Sequence, residues 1–298
     1  MAISRKAVSL AVLSTAISVS AYLPPLSAAE ARASSKEVLP LIGINTDVEG
    51  TNPKEAKIYS LYYEAIEKSG GIPVLLPPLS EEKTKAALHR LDGIMLIGGP
   101  DYPPSIYGQE KNPKTHLMHE DRSKFDMVLA SEAIATADMP VLGICAGSQV
   151  LNIASKGSLI QDIPTQKPES KIKHSSPNGW EVGFARHPIA IDRDSKLYKI
   201  YGSTPPSVVS SHHQCIDKVG SGFKVVAHSE DGVPEAIEST DGRFLIGVQY
   251  HPERDYEGNK ILFDAFVSSC KHRAQDREAA VNAGSHADNS GKVTATTK

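Results

Sequence analysis

The sequence predicts one α/β domain with a mostly parallel central sheet flanked by helices and an antiparallel portion near its C-terminal end. Three observations lead to this prediction. Short apolar runs alternate with helical patterns from residue 39 to the helix that opens at Gly147, as they do in parallel sheets. From about residue 187 the apolar runs are short, β-like and closely spaced. No change of composition marks a second domain, so we expect the fold to occupy residues 38–271.

The first half of this region supplies the parallel strands and the helices that connect them. Pro53 stands where a first helix would begin, and Gly70-Gly71 would stop that helix before the second strand. The predicted strands are residues 39–45, 72–77, 91–99 and 140–144, and the predicted helices are residues 55–71, 81–90, 122–137 and one that opens at Gly147. Ligands of such sheets bind at the carboxyl ends of the strands.

The second half supplies the antiparallel portion. Its apolar runs are rich in Val, Ile and Phe and are separated by Gly, Pro, Asp and Ser, which is typical of strands joined by turns. A last helix is expected near residues 256–271. The predicted strands carry the runs HPIAI, SVVSS, FKVVAHS, PEAIEST and RFLIGVQY.

The two ends of the chain differ from the folded region. Arg5 and Lys6 precede an uncharged stretch that ends in small residues, so we expect residues 1–29 to be a signal peptide. An uncleaved anchor is the alternative, but two prolines and several Ser and Thr residues make a poor spanning helix. Residues 272–298 contain almost no large apolar side chains, and we expect a disordered polar tail. The protein should be exported, to the periplasm or medium, without a stable membrane anchor.

Composition excludes several classes of protein. The chain has 298 residues, of which 40% are hydrophobic and 22% charged, which is the composition of a globular protein rather than a disordered one. A formal net charge of −3 provides no basic field for nucleic acid. The 3 cysteines show no paired spacing for a metal or redox site and are too few for a disulfide scaffold.

Cys145 lies between a predicted buried strand and a predicted helix. Gly143 and Gly147 flank it, and both glycines suit a sharp strand-to-helix turn that packs closely against its neighbours. A thiol at a helix N-terminus is favoured as the thiolate, and the N–H of Ala146 would point to a developing oxyanion. The pattern predicts a nucleophile elbow; the alternative is an inert buried cysteine.

His251 and Glu253 follow the last predicted strand. If that strand continues to its end, the two side chains project from the same face, because side chains repeat every two residues. Glu253 could then orient the imidazole of His251, which completes a Cys-His-Glu triad with Cys145. A strand-end histidine followed by a plain turn is the alternative for each residue alone.

Glycines also end the third predicted strand, in the segment Ile97-Gly98-Gly99-Pro100-Asp101. Such a turn can leave a backbone N–H free to face the cysteine across the carboxyl edge of the sheet. The segment could therefore supply the second donor of an oxyanion hole, although a simple glycine turn has the same sequence pattern.

Seven ordered motifs between about residues 38 and 270 resemble the class I glutamine amidotransferase superfamily, and within it the gamma-glutamyl-gamma-aminobutyrate hydrolase-like branch. The motifs are GINTD, GGIPVLLPP, LDGIMLIGGPDYPPSIYG, PVLGICAGSQVLNIASKGSLIQDIP, SSHHQCID, DGVPEAIE and IGVQYHPE. The resemblance implies the flavodoxin-like sheet of that superfamily. It implies a Cys145 nucleophile, His251 as base and acid, and Glu253 as the orienting carboxylate.

The resemblance also implies the surroundings of the triad. Backbone N–H groups of Gly99 and Ala146 would form the oxyanion hole. The residues expected to line the substrate pocket are Gly98, Gln149, Ser211, His212 and His213. Ala146 stands where many members carry arginine and Tyr250 where tryptophan is usual, which leaves the choice of substrate open.

We expect no cofactor and no metal. His116 and His119 have the spacing of two metal ligands, but no third ligand is spaced near them. Cys215, where alanine is common in the family, is either a small buried filler or half of a bridge to Cys270.

The expected activity is hydrolysis of the γ-glutamyl amide bond of a small-molecule substrate through a γ-glutamyl thioester. Only a polar tail follows residue 270 and the chain is expected to be exported, which favours a free-standing hydrolase. A glutaminase with a separate partner, a catalytically silent γ-glutamyl-binding protein and a peptidase-like or chaperone-like relative are the alternatives. A homo-oligomer remains open, and the sequence does not select one γ-glutamyl compound.

Overall fold

The computed structural model describes residues 38–176, 183–205 and 207–290, with side chains as far as residue 281. The predicted signal peptide lies outside the described residues. Among the described helices, none combines the length and apolar character needed to cross a bilayer. The described residues belong to one compact unit that begins at Val38.

An eight-stranded sheet forms the centre of this unit, in the order β4-β1-β5-β6-β14-β13-β12-β9. The described strands are β1 (Leu41–Asn45), β2 (Asp47–Glu49), β3 (Glu55–Lys57), β4 (Ile72–Leu76), β5 (Gly93–Leu96), β6 (Val141–Ile144), β7 (Leu159–Ile160), β8 (Ala185–His187), β9 (Ala190–Ile191), β10 (Val208–Ser210), β11 (Cys215–Ile216), β12 (Phe223–His228), β13 (Pro234–Ser239) and β14 (Leu245–Val248). The strands from β4 to β14 in sheet order are parallel, and β13, β12 and β9 continue the sheet antiparallel. The predicted fold class is confirmed.

Helices cover both faces of the sheet. They are α1 (Ser60–Lys68), α2 (Glu81–Leu88), α3 (Glu120–Ala135), α4 (Ala146–Ala154), α5 (Ile163–Gln166), α6 (Lys196–Tyr201) and α7 (Tyr256–Ser290). Met95 packs in an apolar cluster with side chains of α1 and α7, whereas Ile94 and Leu96 pack in a second cluster with α3 and α4. Successive residues of a strand point to opposite faces, so each face has its own core.

The region predicted as the first helix differs from the structure. Residues 55–57 pair with residues 47–49 as an antiparallel hairpin, and α1 begins only at Ser60. Lys57 forms an ion pair with Glu49 across this hairpin. The helix stops at Gly70, as predicted. This residue has a φ of 88°, a conformation that glycine adopts without strain.

The last helix extends beyond the boundary predicted for the tail. Residues from position 272 continue α7 to Ser290, where a disordered tail was expected. Arg273 Nη1 donates to the carbonyl of Leu91, and Arg277 pairs with Asp92 at 3.0 Å. Ala274 is buried, so one helical face is anchored on the domain despite its polar composition.

Cys215 and Cys270 do not form a bridge, and both are free and buried. Burial raises the pKa of the Cys215 thiol to about 12, which keeps it protonated at neutral pH. Of the two alternatives for Cys215, the structure shows a small buried side chain without a bridge to Cys270.

Gly143 and Gly147 allow β6 and α4 to approach closely. A Cβ atom at Gly143 would lie 2.6 Å from the carbonyl oxygen of Gly147, and one at Gly147 would lie 2.1 Å from the carbonyl oxygen of Leu96. Both contacts are with backbone atoms, which cannot rotate away. The turn at Cys145 therefore depends on glycine at both positions.

We expect Gly147→Ala to destabilise the fold by about 3 kcal/mol or more, because backbone must shift to admit the methyl group. Gly258→Ala is the matched control, because Gly258 is exposed on α7 and alanine is the better helix former. Urea unfolding of both variants measures the difference. Equal midpoints for the two variants would contradict the packing described here.

Candidate active site

Cys145 lies at a strained turn between β6 and α4. Its φ is 53° and its ψ is −108°, an unusual conformation for a residue with a side chain. The backbone N–H of Cys145 donates to Val248 at 2.8 Å, and its carbonyl accepts from Gln149 at 3.1 Å. These bonds hold the turn, which has the geometry of a nucleophile elbow. Cys145 as a whole residue is 6% exposed, and it follows the last residue of β6 at the carboxyl edge of the sheet.

His251 lies beyond the end of β14 and contacts Glu253 directly. The distance from His251 Nδ1 to Glu253 Oε1 is 2.7 Å, and the Glu253 side chain is fully buried. The backbone N–H of His251 donates to the carbonyl of Val209 in β10. With Nδ1 bonded to the carboxylate, Nε2 is the nitrogen left for other chemistry.

A turn, and not alternation along a strand, brings the side chains of His251 and Glu253 together. The strand ends at Val248, and residues Pro252–Asp255 form a 3-10 turn that brings Glu253 back onto the imidazole. The predicted pairing of His251 with Glu253 is present in the structure. Its expected origin, a strand continuing through both residues, is wrong.

The electrostatic environment of His251 favours the imidazolium. Burial disfavours the charged ring, but the negative charges of Glu253 and Cys145, and hydrogen bonds to both, raise the pKa of His251 to about 10. His251 is therefore protonated at neutral pH. A protonated histidine beside a cysteine is the arrangement of an ion-paired nucleophile and acid.

Gly98 and Gly99 form the turn that faces Cys145 and His251. A Cβ atom at Gly98 would lie 3.5 Å from Cys145 Cβ and 3.1 Å from His251 Cε1. The N–H of Gly98 donates to the hydroxyl of Tyr62 at 3.2 Å. Gly98 is thus adjacent to the predicted triad, but its own N–H has a protein partner.

Arg122 fixes the orientation of this glycine turn through hydrogen bonds to two backbone carbonyls. Its Nη2 donates to the carbonyls of Gly98, at 2.8 Å, and Ile97, at 3.3 Å. The peptide between Gly98 and Gly99 is planar and trans, so its N–H points opposite to its carbonyl. The N–H of Gly99 therefore points away from Arg122.

Arg122 is fully buried and paired with acidic groups. Its Nη1 lies 3.1 Å from Asp47 and its Nε lies 3.2 Å from Asp126. Burial alone would lower the pKa of Arg122, but these carboxylates raise it, so the guanidinium stays charged. Asp126 also accepts from Tyr102 and Asn45, each at 2.7 Å.

Gln149 is linked to Cys145 through Gln249. Gln149 Nε2 donates to Gln249 Oε1 at 3.3 Å, and Gln249 Nε2 lies 3.6 Å from Cys145 Sγ. Ala146 opens α4, where the first N–H groups of a helix have no partner within it. Ala146 is next to Cys145 in the chain and Gln149 is linked to it through Gln249, while a pocket role for Gln149 and an oxyanion role for Ala146 stay predictions.

The residues of the Ser211-His212-His213 segment point in different directions. His212 is buried and turns Nε2 toward Glu235, 3.5 Å away, so it does not face an open pocket. His213 is partly exposed and lies between Asp101 and Asp162, each at 3.1 Å. Burial opposes protonation of His213, but the two carboxylates raise its pKa above the ordinary value. Ser211 follows β10 and is partly buried.

Phe184, Tyr59 and Arg254 cover the histidine side of the site. The Phe184 ring meets the His251 ring edge-on at 5.8 Å, and the Arg254 guanidinium lies over Phe184 at 4.5 Å and over Tyr59 at 5.0 Å. The His251 side chain beside Phe184 is 10% exposed.

Several residues of the site have no signature in the sequence. Arg122 lies in a run of charged residues that opens α3, and no spacing pattern singles it out. Asn45 ends β1 within the motif GINTD, but the motif gives no reason to expect its contact with Asp126. His119, considered earlier as a metal ligand, instead caps α3 by accepting from Asp121 N at 3.1 Å. Tyr250, in place of the usual tryptophan, is buried against Tyr201, so its hydroxyl lies in the core.

Comparisons with known proteins agree with this geometry. The chain is 37% identical over 210 residues to "Putative glutamine amidotransferase Rv2859c" of Mycobacterium tuberculosis, a match that covers 70% of this chain and 66% of that protein. It is 30% identical over 226 residues to gamma-glutamyl-gamma-aminobutyrate hydrolase PuuD of Escherichia coli, covering 73% of this chain and 87% of PuuD.

A solved structure shares the fold. The crystal structure of a "putative gmp synthase subunit a protein" from Thermoplasma acidophilum superposes with a TM-score of 0.53 at 17% identity, over 82% of this chain and 100% of the other. The Peptidase C26 family matches residues 40–253, which include Cys145, His251 and Glu253. The chain therefore belongs to the Peptidase C26 family, within the class I glutamine amidotransferase-like superfamily.

Proposed function

We propose that the protein hydrolyses the γ-glutamyl amide bond of small γ-glutamyl compounds, with Cys145, His251 and Glu253 as its catalytic triad. One observation carries the proposal: the His251 imidazole contacts Glu253 at 2.7 Å on one side and Cys145 on the other. This is the nucleophile, base and orienting carboxylate of covalent acyl transfer. A relative named gamma-glutamyl-gamma-aminobutyrate hydrolase supports the choice of bond.

The first half-reaction forms a thioester. The Cys145 thiolate attacks the γ-carbonyl carbon, and the carbonyl electron pair moves to oxygen to give a tetrahedral oxyanion. As the oxyanion collapses, the C–N bond breaks and His251 Nε2 gives its proton to the departing amine. The products of this step are the free amine and a γ-glutamyl thioester on Cys145.

The second half-reaction returns the enzyme to its starting state. Neutral His251 takes a proton from water as the water oxygen attacks the thioester carbon. The C–S bond breaks, glutamate leaves, and Cys145 is again a thiolate beside an imidazolium. The N–H groups of Gly99 and Ala146 would stabilise the oxyanion of both steps.

Glutaminase activity is a second candidate. Two relatives carry the names "Putative glutamine amidotransferase Rv2859c" and "Putative glutamine amidotransferase-like protein YvdE". Glutamine is itself a γ-glutamyl amide, so the same triad can act on it. The two candidates differ only in the amine that the pocket accepts.

A substrate panel separates the two candidates. The panel contains γ-glutamyl-γ-aminobutyrate, a γ-glutamyl amino acid, a polyglutamate and glutamine, and the readout is release of glutamate. We expect kcat/KM for at least one substituted γ-glutamyl amide to exceed that for glutamine by about tenfold or more. The opposite preference would make the protein a glutaminase, and no cleavage of any member would refute both.

Arg122→Lys should slow amide hydrolysis by about tenfold to a hundredfold through kcat with little change in KM, because one ammonium cannot replace the planar guanidinium that contacts the glycine turn and two carboxylates together. The Gly99 N–H would then lose its fixed direction. Arg186→Lys is the control, since that arginine is exposed and pairs only with Asp255 among the described residues.

A second readout separates positioning from general damage to the fold. Iodoacetamide alkylates a thiolate by displacement at a saturated carbon, which forms no oxyanion. The alkylation rate of Cys145 should therefore stay near that of the wild type in Arg122→Lys. A parallel loss of alkylation and hydrolysis would show that Arg122 only maintains the fold.

A further inference from the structure

Four buried polar side chains converge outside the triad: His174, His187, His212 and Glu235. They come from separate parts of the chain, since His187 ends β8, His212 follows β10, Glu235 lies in β13 and His174 lies in the loop after α5. Their side chains are at most 3% exposed. Charged and titratable groups are rarely buried this completely unless they are paired or bind a metal.

The distances from Glu235 to the three histidines match those between neighbouring ligands of a tetrahedral site. Glu235 Oε1 lies 3.2 Å from His174 Nδ1, 3.5 Å from His187 Nε2 and 3.5 Å from His212 Nε2. One ligand atom from each residue can be chosen so that no two are more than 4.8 Å apart. Ligands about 2.0–2.1 Å from Zn²⁺ in a tetrahedron lie roughly 3.3 Å from each other. The three distances from Glu235 Oε1 to the histidine nitrogens are close to this ligand-to-ligand distance.

The outer ring nitrogens of two histidines determine where their protons are. His187 Nδ1 lies 3.1 Å from the carbonyl of Pro188, and His212 Nδ1 lies 2.9 Å from the carbonyl of Gln214. A carbonyl oxygen can only accept, so each Nδ1 carries the proton and donates it. The neutral rings then present a bare Nε2 lone pair to the centre of the cluster, as a metal ligand does.

His174 is held in the same manner by a carboxylate. Its Nε2 lies 2.9 Å from Asp231 Oδ2, which leaves Nδ1 directed at Glu235. A carboxylate behind a histidine is the usual outer partner of a histidine that binds zinc, because it fixes the tautomer and strengthens the ligand. Asp231 is itself fixed by the hydroxyls of Ser170 and Ser229.

The inner atoms lack hydrogen bonds. Among the described residues, His174 Nδ1, His187 Nε2, His212 Nε2 and both carboxylate oxygens of Glu235 have no hydrogen-bond partner. Three lone pairs and a carboxylate that face one another in the buried interior are unfavourable without a positive charge between them. A divalent cation at the centre supplies that charge and satisfies all four groups.

We propose that His174, His187, His212 and Glu235 form a closed binding site for a divalent transition metal, with Zn²⁺ as the ion best suited to three imidazoles and one carboxylate. Four protein ligands and deep burial are the marks of a structural zinc site rather than a catalytic one. The bound ion would connect β8, β13 and the segment after β10.

This site would support the triad indirectly. The backbone carbonyl of Glu235 accepts from Gln249 N at 2.8 Å, and Val209, three residues before His212, accepts from His251 N at 2.8 Å. The metal would therefore fix the two segments on which His251 rests. It takes no part in the steps at Cys145.

Cobalt and zinc titration of the purified protein tests the proposal, in a Cys145→Ala background that removes the sulfur of the proposed active site as a competing ligand. After dialysis against a chelator, we expect about one equivalent of Co²⁺ to bind with the strong visible bands of a tetrahedral site, and equimolar Zn²⁺ to displace it. Zn²⁺ should also raise the melting temperature of the dialysed protein. No visible bands together with no rise in melting temperature would overturn the proposal and leave a proton-bridged cluster.

His187→Ala is the ligand variant and His116→Ala its matched control, because His116 is exposed and lies outside the cluster. We expect His187→Ala to lose at least about nine-tenths of the cobalt signal while His116→Ala keeps it. Equal binding by the two variants would contradict the assignment. If His187→Ala does not fold, the titration of the Cys145→Ala protein still decides the outcome.

Discussion

Cys145→Ala is expected to lower kcat for γ-glutamyl amide hydrolysis by about 10⁴-fold or more, because the variant cannot form the thioester. The substrate should still bind with similar affinity, since the Cys145 backbone keeps its hydrogen bonds to Val248 and Gln149. Steady-state kinetics measure the loss, and calorimetric titration with substrate measures the binding.

Cys215→Ala is the matched control for this experiment. It makes the same chemical change at a buried, protonated thiol of β11 that packs in a separate small cluster with Ile163 and Val233. We expect its kcat to stay within about threefold of the wild type. Retained turnover in Cys145→Ala, or an equal loss in both variants, would show that Cys145 is not the nucleophile.

Glu253→Gln is expected to reduce kcat by about 10²-fold to 10⁴-fold, because the amide no longer orients His251 or stabilises its imidazolium. In the folded enzyme, burial lowers the pKa of His251, and the charges of Glu253 and Cys145 raise it to about 10. Removal of the Glu253 charge must lower that pKa. The fall of activity at high pH, where the His251 imidazolium loses its proton, should therefore move to lower pH in the variant.

Glu257→Gln is the control, because it removes an acidic charge from an exposed position in the first turn of α7. Its kcat and its pH profile should match those of the wild type. A Glu253→Gln enzyme that loses activity without any movement of this fall at high pH would indicate a role for Glu253 in folding only.

The parts of the site that could be predicted from the sequence are those encoded over short stretches. Gly143, Cys145 and Gly147 specify a sharp turn by their spacing alone, because only glycine fits the close approach of β6, α4 and β5. His251 and Glu253 are two residues apart, so nearly any local conformation keeps them near each other. The alternation of strands and helices likewise predicts the sheet without any long-range information.

The parts that could not be predicted depend on contacts between distant segments. Arg122 lies among charged residues that open a helix, and only the carbonyls of Ile97 and Gly98 and the carboxylate of Asp47 account for its burial. The hairpin of residues 47–57 could not be predicted, because the sequence of its second strand runs directly into the helical pattern of α1.

The histidine cluster shows the same limit more clearly. His174, His187, His212 and Glu235 have no regular spacing, and they meet only when β8, β10 and β13 are assembled. A search of the sequence for closely spaced ligands finds His116 and His119 instead, and the structure does not bring those two residues into a common cluster among the described residues.

Rapid-quench mass spectrometry of the enzyme during turnover tests the proposed chemistry most directly. The wild type, or Glu253→Gln if its deacylation is slower, is mixed with a substituted γ-glutamyl amide, quenched in acid and digested. We expect the peptide that contains Cys145 to carry one glutamyl group that hydroxylamine removes, as a thioester requires. Continued turnover with that peptide unmodified at every quench time, or with the glutamyl group on another residue, would contradict a Cys145 thioester.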